Sequence, residues 1–118
     1  MGKRSRQRRR EDPPSAPTTE YPGPDGMVLV LRGALTPATR RRYAETLAGG
    51  LDREDARARA IELLFEHLAV TWTIAGVRSD RQKELLGRYR MASLAERSFV
   101  REALRAHLTE HFPDMEAP

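Results

Sequence analysis

The sequence predicts one mainly α-helical domain that follows a basic N-terminal arm. A chain of 118 residues suits a single domain with its own core. Apolar residues recur at helical spacing from the middle of the chain onward, whereas residues 1–26 hold five of the eight prolines and show no apolar periodicity. We therefore expect a disordered arm over residues 1–26. A helical domain over residues 27–118 follows it, with about four helices and room for one short strand or a two-stranded ribbon.

Composition excludes several classes of protein. The 39% hydrophobic and 32% charged residues are typical of a soluble globular chain, and the absence of cysteine excludes disulfides and thiolate chemistry. The longest apolar run, MVLVL, is far shorter than the roughly twenty residues of a membrane span, and no apolar segment follows the basic start. By elimination we expect a cytoplasmic protein that does not bind membranes.

The first elements of the domain have local signals. The MVLVL run, residues 27–31, has the length of a buried strand and lies between two glycines. In LTPATRRRYAETLAGG, Thr36 suits the N-cap of a first helix, Pro37 suits its first position, and Gly49 suits its end.

The second helix is predicted within residues 51–76, LDREDARARAIELLFEHLAVTWTIAG. Asp52 is its expected N-cap, Gly76 ends the pattern, and apolar residues up to Trp72 share one stripe at 100° per residue. The end is ambiguous, because the β-branched and aromatic segment VTWTI, residues 70–74, also suits a strand paired with MVLVL.

Two further helices are predicted from capping boxes. SDRQ at residues 79–82 and SLAE at residues 93–96 both place a serine three positions before a residue that can reach back to its amide. The third helix is expected from Asp80 to Met91. The fourth is expected from Leu94 to Phe112, because Pro113 prevents continuation.

The segment LTPATRRRY, which begins the first predicted helix, resembles the first helix of the core-binding domain in tyrosine recombinases. The likeness covers about a dozen residues. The rest of the chain departs from that family, so no residue role is transferred from it.

The sequence HLTEH, His107 to His111, has the H-x-x-E-H pattern of inverted zinc metallopeptidases. A zinc site needs a third protein ligand, and no spacing argues for His67 or Glu62 in that role. Both histidines fall inside the apolar stripe of the fourth helix, so we predict packing roles for them, with no metal, no cofactor and no enzymatic activity. A noncatalytic metal clip and a hydrolase are the alternatives. Under the packing interpretation, His107→Leu would preserve or raise stability.

Positive charge is concentrated in residues 1–10, which contain six cations and no acid, so that residues 11–118 sum to −2. Such a cluster neutralises phosphates whatever the base sequence. Residues 1–10 have no aromatic residue for base stacking, so we expect largely sequence-independent binding. An acidic protein partner and a merely solvated tail are the alternatives. The predicted contacts in the arm are Lys3, Arg4, Arg6, Arg8, Arg9 and Arg10.

A second basic cluster, Arg40, Arg41 and Arg42, lies in the first half of the first helix. Cations there oppose the helix dipole, which favours an anion nearby; alternatively, Arg41 simply pairs with Glu45. The sequence therefore predicts a nonenzymatic small protein that associates with DNA or RNA through the arm and this cluster. The alternative is a protein-interaction module, an assembly adaptor or small chaperone, that uses Tyr89 or Met91. The oligomeric state stays open.

Overall fold

The computed structural model describes residues 16–118, which form a four-stranded sheet and four helices. The sheet order is β1-β2-β3-β4, and every neighbouring pair is antiparallel. In chain order the elements are β1 (Thr18–Pro22), a 3-10 turn (Pro24–Gly26), β2 (Val28–Arg32), α1 (Pro37–Ala48), α2 (Arg53–Leu68), β3 (Ala69–Ile74), β4 (Val77–Ser79), α3 (Gln82–Arg90) and α4 (Leu94–His111).

The prediction of a mainly α-helical domain is wrong. Of the described residues, 56% are helical and 18% lie in strands of one sheet, so the fold is mixed α/β. The four helices were anticipated, but the sheet has four strands where one strand or a two-stranded ribbon was expected. Strands β1 and β4 were not predicted, and β1 is recognisable only from its pairing with β2.

Strand β1 corrects the predicted boundary of the arm. It lies inside the segment that was expected to be disordered, and it pairs with β2 from Thr18↔Arg32 to Pro22↔Val28. Backbone bonds at both ends, Gly33 N–H to Pro17 O and Gly23 N–H to Met27 O, show that the odd-numbered residues of β1 bond to β2. Pro22 therefore occupies a position whose missing N–H faces outward, which an edge strand tolerates. The rest of the predicted arm, residues 1–15, lies outside the described residues.

Helix α1 confirms its predicted start and end. The Thr36 side chain accepts a hydrogen bond from Thr39 N–H, Pro37 is the first residue, and Gly49 follows the last. Asp52 likewise caps α2 by accepting from Glu54 N–H. The predicted second helix, within residues 51–76, extends too far, since α2 ends at Leu68.

The ambiguous segment after α2 is a strand. Trp72 of β3 lies opposite Leu29, so the segment does pair with the MVLVL strand. It then turns into β4 through Ala75 and Gly76, whose φ angles of 51° and 79° are the left-handed pair of a tight two-residue hairpin. The β-branched residues of this segment suit a sheet better than a helix, and this preference overrides the continuing apolar stripe.

The two predicted capping boxes have opposite outcomes. Ser93 accepts from Glu96 N–H while the Glu96 carboxylate accepts from Ser93 N–H, so the box at the start of α4 is confirmed. The box in SDRQ is wrong. Ser79 is the last residue of β4, and α3 begins at Gln82 without a side-chain cap.

The core lies between one face of the sheet and the helices. Leu29, Leu31 and Trp72 are fully buried on that face, and α2 and α4 cover them with fully buried apolar residues such as Leu64 and Leu104. The opposite face carries Val28, Val30, Thr71 and Thr73, which stay partly exposed. Within residues 16–118, no helix combines the length and the apolar character needed to cross a bilayer.

We expect Ser93→Ala to lower the free energy of unfolding by about 1 kcal/mol, because the Glu96 amide loses its cap. Ser79→Ala is the matched control, since Ser79 fits the same sequence pattern but caps no helix; its effect should stay within about 0.5 kcal/mol. Urea unfolding followed by circular dichroism measures both changes. Equal effects of the two substitutions would contradict the assignment of the cap.

Candidate nucleic-acid interface and histidine pair

The six predicted arm cations, at positions 3 to 10, lie outside the described residues. The structure does show where the arm joins the domain. Pro17 O accepts a hydrogen bond of 2.9 Å from Gly33 N–H, in the loop that leads from β2 to the N-cap of α1 at Thr36. The arm therefore departs from the end of the sheet that adjoins the start of α1, the helix that carries the second basic cluster.

Arg40 is occupied by contacts within the chain. Its Nη1 lies 3.7 Å from a carboxylate oxygen of Asp114, and its guanidinium lies 5.1 Å from the centroid of the Phe112 ring. An acid from the segment after α4 thus supplies the anion that the sequence led us to expect near this cluster. Arg40 is consequently the least available of the three arginines for an external phosphate.

Arg41 and Arg42 are both exposed. The alternative pairing of Arg41 with Glu45 does not occur, because no ion pair within residues 16–118 involves Arg41. Acids are nevertheless close to both. Arg41 lines a cavity of about 410 Å³ together with Asp114 and Glu116. Arg42 lines a groove of about 640 Å³ between α1 and α2 whose walls also carry Glu45, Glu62 and Glu66. The cluster is therefore not a surface of purely positive potential.

The two histidines of HLTEH tie α4 to the edge of the sheet. His107 is fully buried, with its Nε2 2.8 Å from Arg32 O and its Nδ1 2.8 Å from the Tyr21 hydroxyl. A carbonyl oxygen only accepts, so Nε2 carries the proton and Nδ1 accepts from Tyr21. His111 Nε2 lies 3.2 Å from Thr19 Oγ1, and the two imidazole centroids are 4.5 Å apart.

This arrangement matches the packing interpretation of the histidines and does not assemble a metal site among the described residues. Both ring nitrogens of His107 are used in hydrogen bonds, and no group of three or more His, Cys, Asp or Glu side chains within residues 16–118 is placed to hold an ion. Of the suggested third ligands, Glu62 is bound to Arg90 at 2.7 Å. His67 contacts Arg32 through its backbone oxygen.

Burial lowers the pKa of His107 below its ordinary value, and the nearby His111 acts in the same direction. The hydrogen bond to Arg32 O and the charge of Glu110 oppose this shift without cancelling it. Burial, followed by the charge of Glu110, also raises the pKa of the Tyr21 hydroxyl. Both shifts favour the neutral pair that the hydrogen-bond geometry requires.

Sequence reasoning missed a third set of arginines, Arg97, Arg101 and Arg105 on α4. Their four-residue spacing places them along one face of a helix, and this signal was available in the sequence. The sequence analysis considered the apolar stripe of this helix and did not treat the arginines on its charged side as a cluster. Sequence reasoning also proposed Tyr89 as a contact for a protein partner, whereas Tyr89 is buried against Phe65.

No protein-family model matches this chain, and neither the curated proteins nor the solved structures include a significantly similar one. Function must therefore be argued from the residues themselves.

We expect His107→Leu to lower the free energy of unfolding by about 1–3 kcal/mol, because Arg32 O and the Tyr21 hydroxyl would lose their partner. This expectation replaces the one drawn from sequence, in which leucine was neutral or stabilising. A double-mutant cycle with Tyr21→Phe isolates the hydrogen bond between the two side chains. Unchanged stability in His107→Leu, in zinc and in chelator alike, would restore the sequence-based expectation.

We also expect stability to fall in mild acid because of His107. Its pKa is lowered in the folded state, so the unfolded state binds more protons, and stability is lost as pH falls below about 6.5, the ordinary histidine value. The groups that face this imidazole are Tyr21, His111 and Glu110. The melting temperature of His107→Gln, which cannot titrate, should decrease less than that of the parent chain between about pH 7 and pH 5. Parallel curves for the two proteins would assign the pH dependence to other groups.

Proposed function

We propose that this protein is a nonenzymatic nucleic-acid-associated protein that binds the phosphate backbone of DNA or RNA through its arm. The observation that carries the proposal is the separation of charge. Residues 16–118 contain fifteen basic and fifteen acidic residues, so that domain is neutral, whereas residues 1–10 contain six cations without an acid. A neutral domain joined to a purely cationic segment suits a phosphate polymer, since clustered cations release condensed counterions on binding.

The position of the arm supports this proposal. It leaves the domain beside the loop that leads into α1, and Arg41 and Arg42 are exposed on that helix. Fifteen residues span at most about 50 Å, which is ample to place the arm and α1 on one duplex. Arg40 contributes less, because Asp114 and Phe112 already engage it. We place this activity in the cytoplasm.

The second candidate function is a protein-interaction module such as an assembly adaptor. Met91 and Leu94, at the turn between α3 and α4, are 84% and 87% exposed, and they lie three residues apart. An adjacent pair of large exposed apolar side chains favours contact with another protein. Arg97 is next to them and forms no ion pair within the described part of the chain, which suits an acidic, apolar segment of a partner.

We expect binding of a short duplex to be steeply salt-dependent, with a log–log slope about 5 units less negative once the six arm cations are changed to glutamine. An arm in which all six are lysine keeps the charge and is the matched control. Fluorescence anisotropy across a salt series measures the slopes. Absence of binding by the parent chain at low salt, or equal binding by the glutamine arm, would contradict the proposal.

The same proteins separate the two candidate functions. If the protein is an adaptor, its affinity for a partner should survive the glutamine arm and be lost in Met91→Ser/Leu94→Ser. If it is a nucleic-acid-binding protein, the serine variant should bind duplex as the parent chain does.

A further inference from the structure

Helix α4 carries a row of three arginines, Arg97, Arg101 and Arg105, which we call the α4 arginine row. Each step of four residues advances about 6 Å along a helix and rotates by about 40°, so the row runs for about 12 Å along one side of α4. The row runs along the border of the buried face of α4, since Leu104 lies only about 20° around the helix from Arg97 and Leu108 about 20° from Arg101. The row therefore flanks the packed side of α4, in agreement with the half-buried position of Arg101.

No Asp or Glu side chain within the described part of the chain compensates the charges of the row. None of these carboxylates lies within 4.0 Å of the three guanidiniums, although five other arginines are in ion pairs. Glu96 and Glu102 are each next in sequence to an arginine of the row, but Glu96 is bound to Arg88 and Glu102 lies about 100° around the helix from Arg101. The five paired arginines are Arg40, Arg57, Arg59, Arg88 and Arg90.

Hydrogen bonds hold the two ends of the row. Arg97 donates from Nη2 to Arg90 O at 2.8 Å, and its guanidinium lies 5.3 Å from the centroid of the Tyr89 ring. Arg105 donates from Nη1 to Pro118 O at 2.9 Å. In the middle, Arg101 is half-buried and its Nε has no partner. The Arg90 carbonyl oxygen and the Tyr89 ring face orient Arg97 without neutralising it, so positive potential persists at Arg97 and Arg101.

The row lies near the other basic elements of the protein. Arg105 is close enough to Tyr43 of α1 to lower its pKa against the stronger effect of burial, and the Tyr43 hydroxyl donates to Glu116 O. Arg41 lines the cavity that Glu116 also borders. Thr19 of the edge strand β1 contacts His111 at the end of α4, close to the point where the arm joins the domain. The arm, α1 and α4 therefore meet around one end of the domain.

We propose that the α4 arginine row is a second binding surface for the phosphate backbone of nucleic acid. This inference rests on the proposed function and assigns a share of the affinity to the folded domain. Along one strand of duplex DNA the phosphates are about 3.4 Å apart in axial rise, so a row of about 12 Å spans about three to four phosphate steps, and each of its three arginines has a phosphate within reach. The aromatic ring in contact with Arg97, that of Tyr89, is buried, so it is not exposed for stacking on bases.

The test compares four forms of the full chain on the same duplex DNA and duplex RNA. The row variant is Arg97→Gln/Arg101→Gln/Arg105→Gln. The charge-matched control is Arg53→Gln/Arg78→Gln/Arg81→Gln, which changes three exposed arginines that form no ion pair within residues 16–118. The rescue variant carries lysine at the three row positions, and the fourth form is the parent chain. Melting temperatures verify that each is folded.

The row variant should bind at least about tenfold more weakly than the control at about 0.1 M salt, with the log–log slope reduced by about 2–3 units. The lysine variant should keep the parent slope, because a phosphate contact needs the charge more than the planar guanidinium.

Three results would overturn this inference. Equal binding by the row variant and the control would assign the remaining affinity to the arm and leave the proposed function intact. Equal weakening by lysine and glutamine would make the row a structural element of α4. Absence of binding by the parent chain to either duplex, at any salt concentration, would remove the proposed function and the row together.

Discussion

The buried imidazole of His107 is the interaction on which the arrangement of sheet and helices depends. One ring nitrogen binds the backbone of β2 at Arg32, and the other binds the Tyr21 hydroxyl on β1. Tyr21 lies opposite Leu29, and a slip of one residue in this register would turn Tyr21 to the other face of the sheet. The two hydrogen bonds therefore fix the rotation of α4 and the register of the edge strand at once. Both nitrogens of the buried His107 imidazole have hydrogen-bond partners in this arrangement of sheet and helix. A leucine would not require these partners, so His107 contributes specificity to the fold that leucine would not.

The accuracy of the sequence analysis followed the range of the interactions involved. The caps at Thr36, Asp52 and Ser93 are formed by residues within three positions of each other, and all three were predicted correctly. The box in SDRQ, equally local in sequence, was wrong because Ser79 pairs with Trp72 in the sheet. Strand β1 was missed because the segment TTEYP has no apolar run, and its strand character comes from pairing with β2 and from Tyr21 reaching α4. The end of α2 was placed too late for a related reason. Trp72 continues the helical stripe of apolar residues, but it is buried as a member of β3 opposite Leu29.

For the candidate sites too, the sequence predicted features that depend on a single helix and missed those that depend on residues distant in sequence. The helical wheel correctly placed His107 on the packed side of α4, because burial depends on the periodicity of a single helix. It could not supply the partners of His107, which lie 75 and 86 residues away in sequence, and so its expectation for leucine is opposite in sign to the one that these partners support. The arginines at 40 to 42 were chosen for their density along the sequence. Asp114 pairs with Arg40, Glu116 lines the cavity beside Arg41, and the groove beside Arg42 carries three glutamates together with Arg59 and Arg90. Only the folded chain brings these groups near the cluster.

The charges of this protein are informative because of how they are paired. The described domain is neutral in sum, and its arginines divide into those that meet an Asp or Glu carboxylate and those that do not. The second group contains the α4 arginine row. Leu94 precedes Arg97 by three residues, so the two side chains are neighbours on the surface of α4. A protein that covered Met91 and Leu94 would also cover one end of the row. The two candidate surfaces therefore overlap at the start of α4, and a partner bound there would exclude nucleic acid from that end of the helix while leaving the arm free to bind.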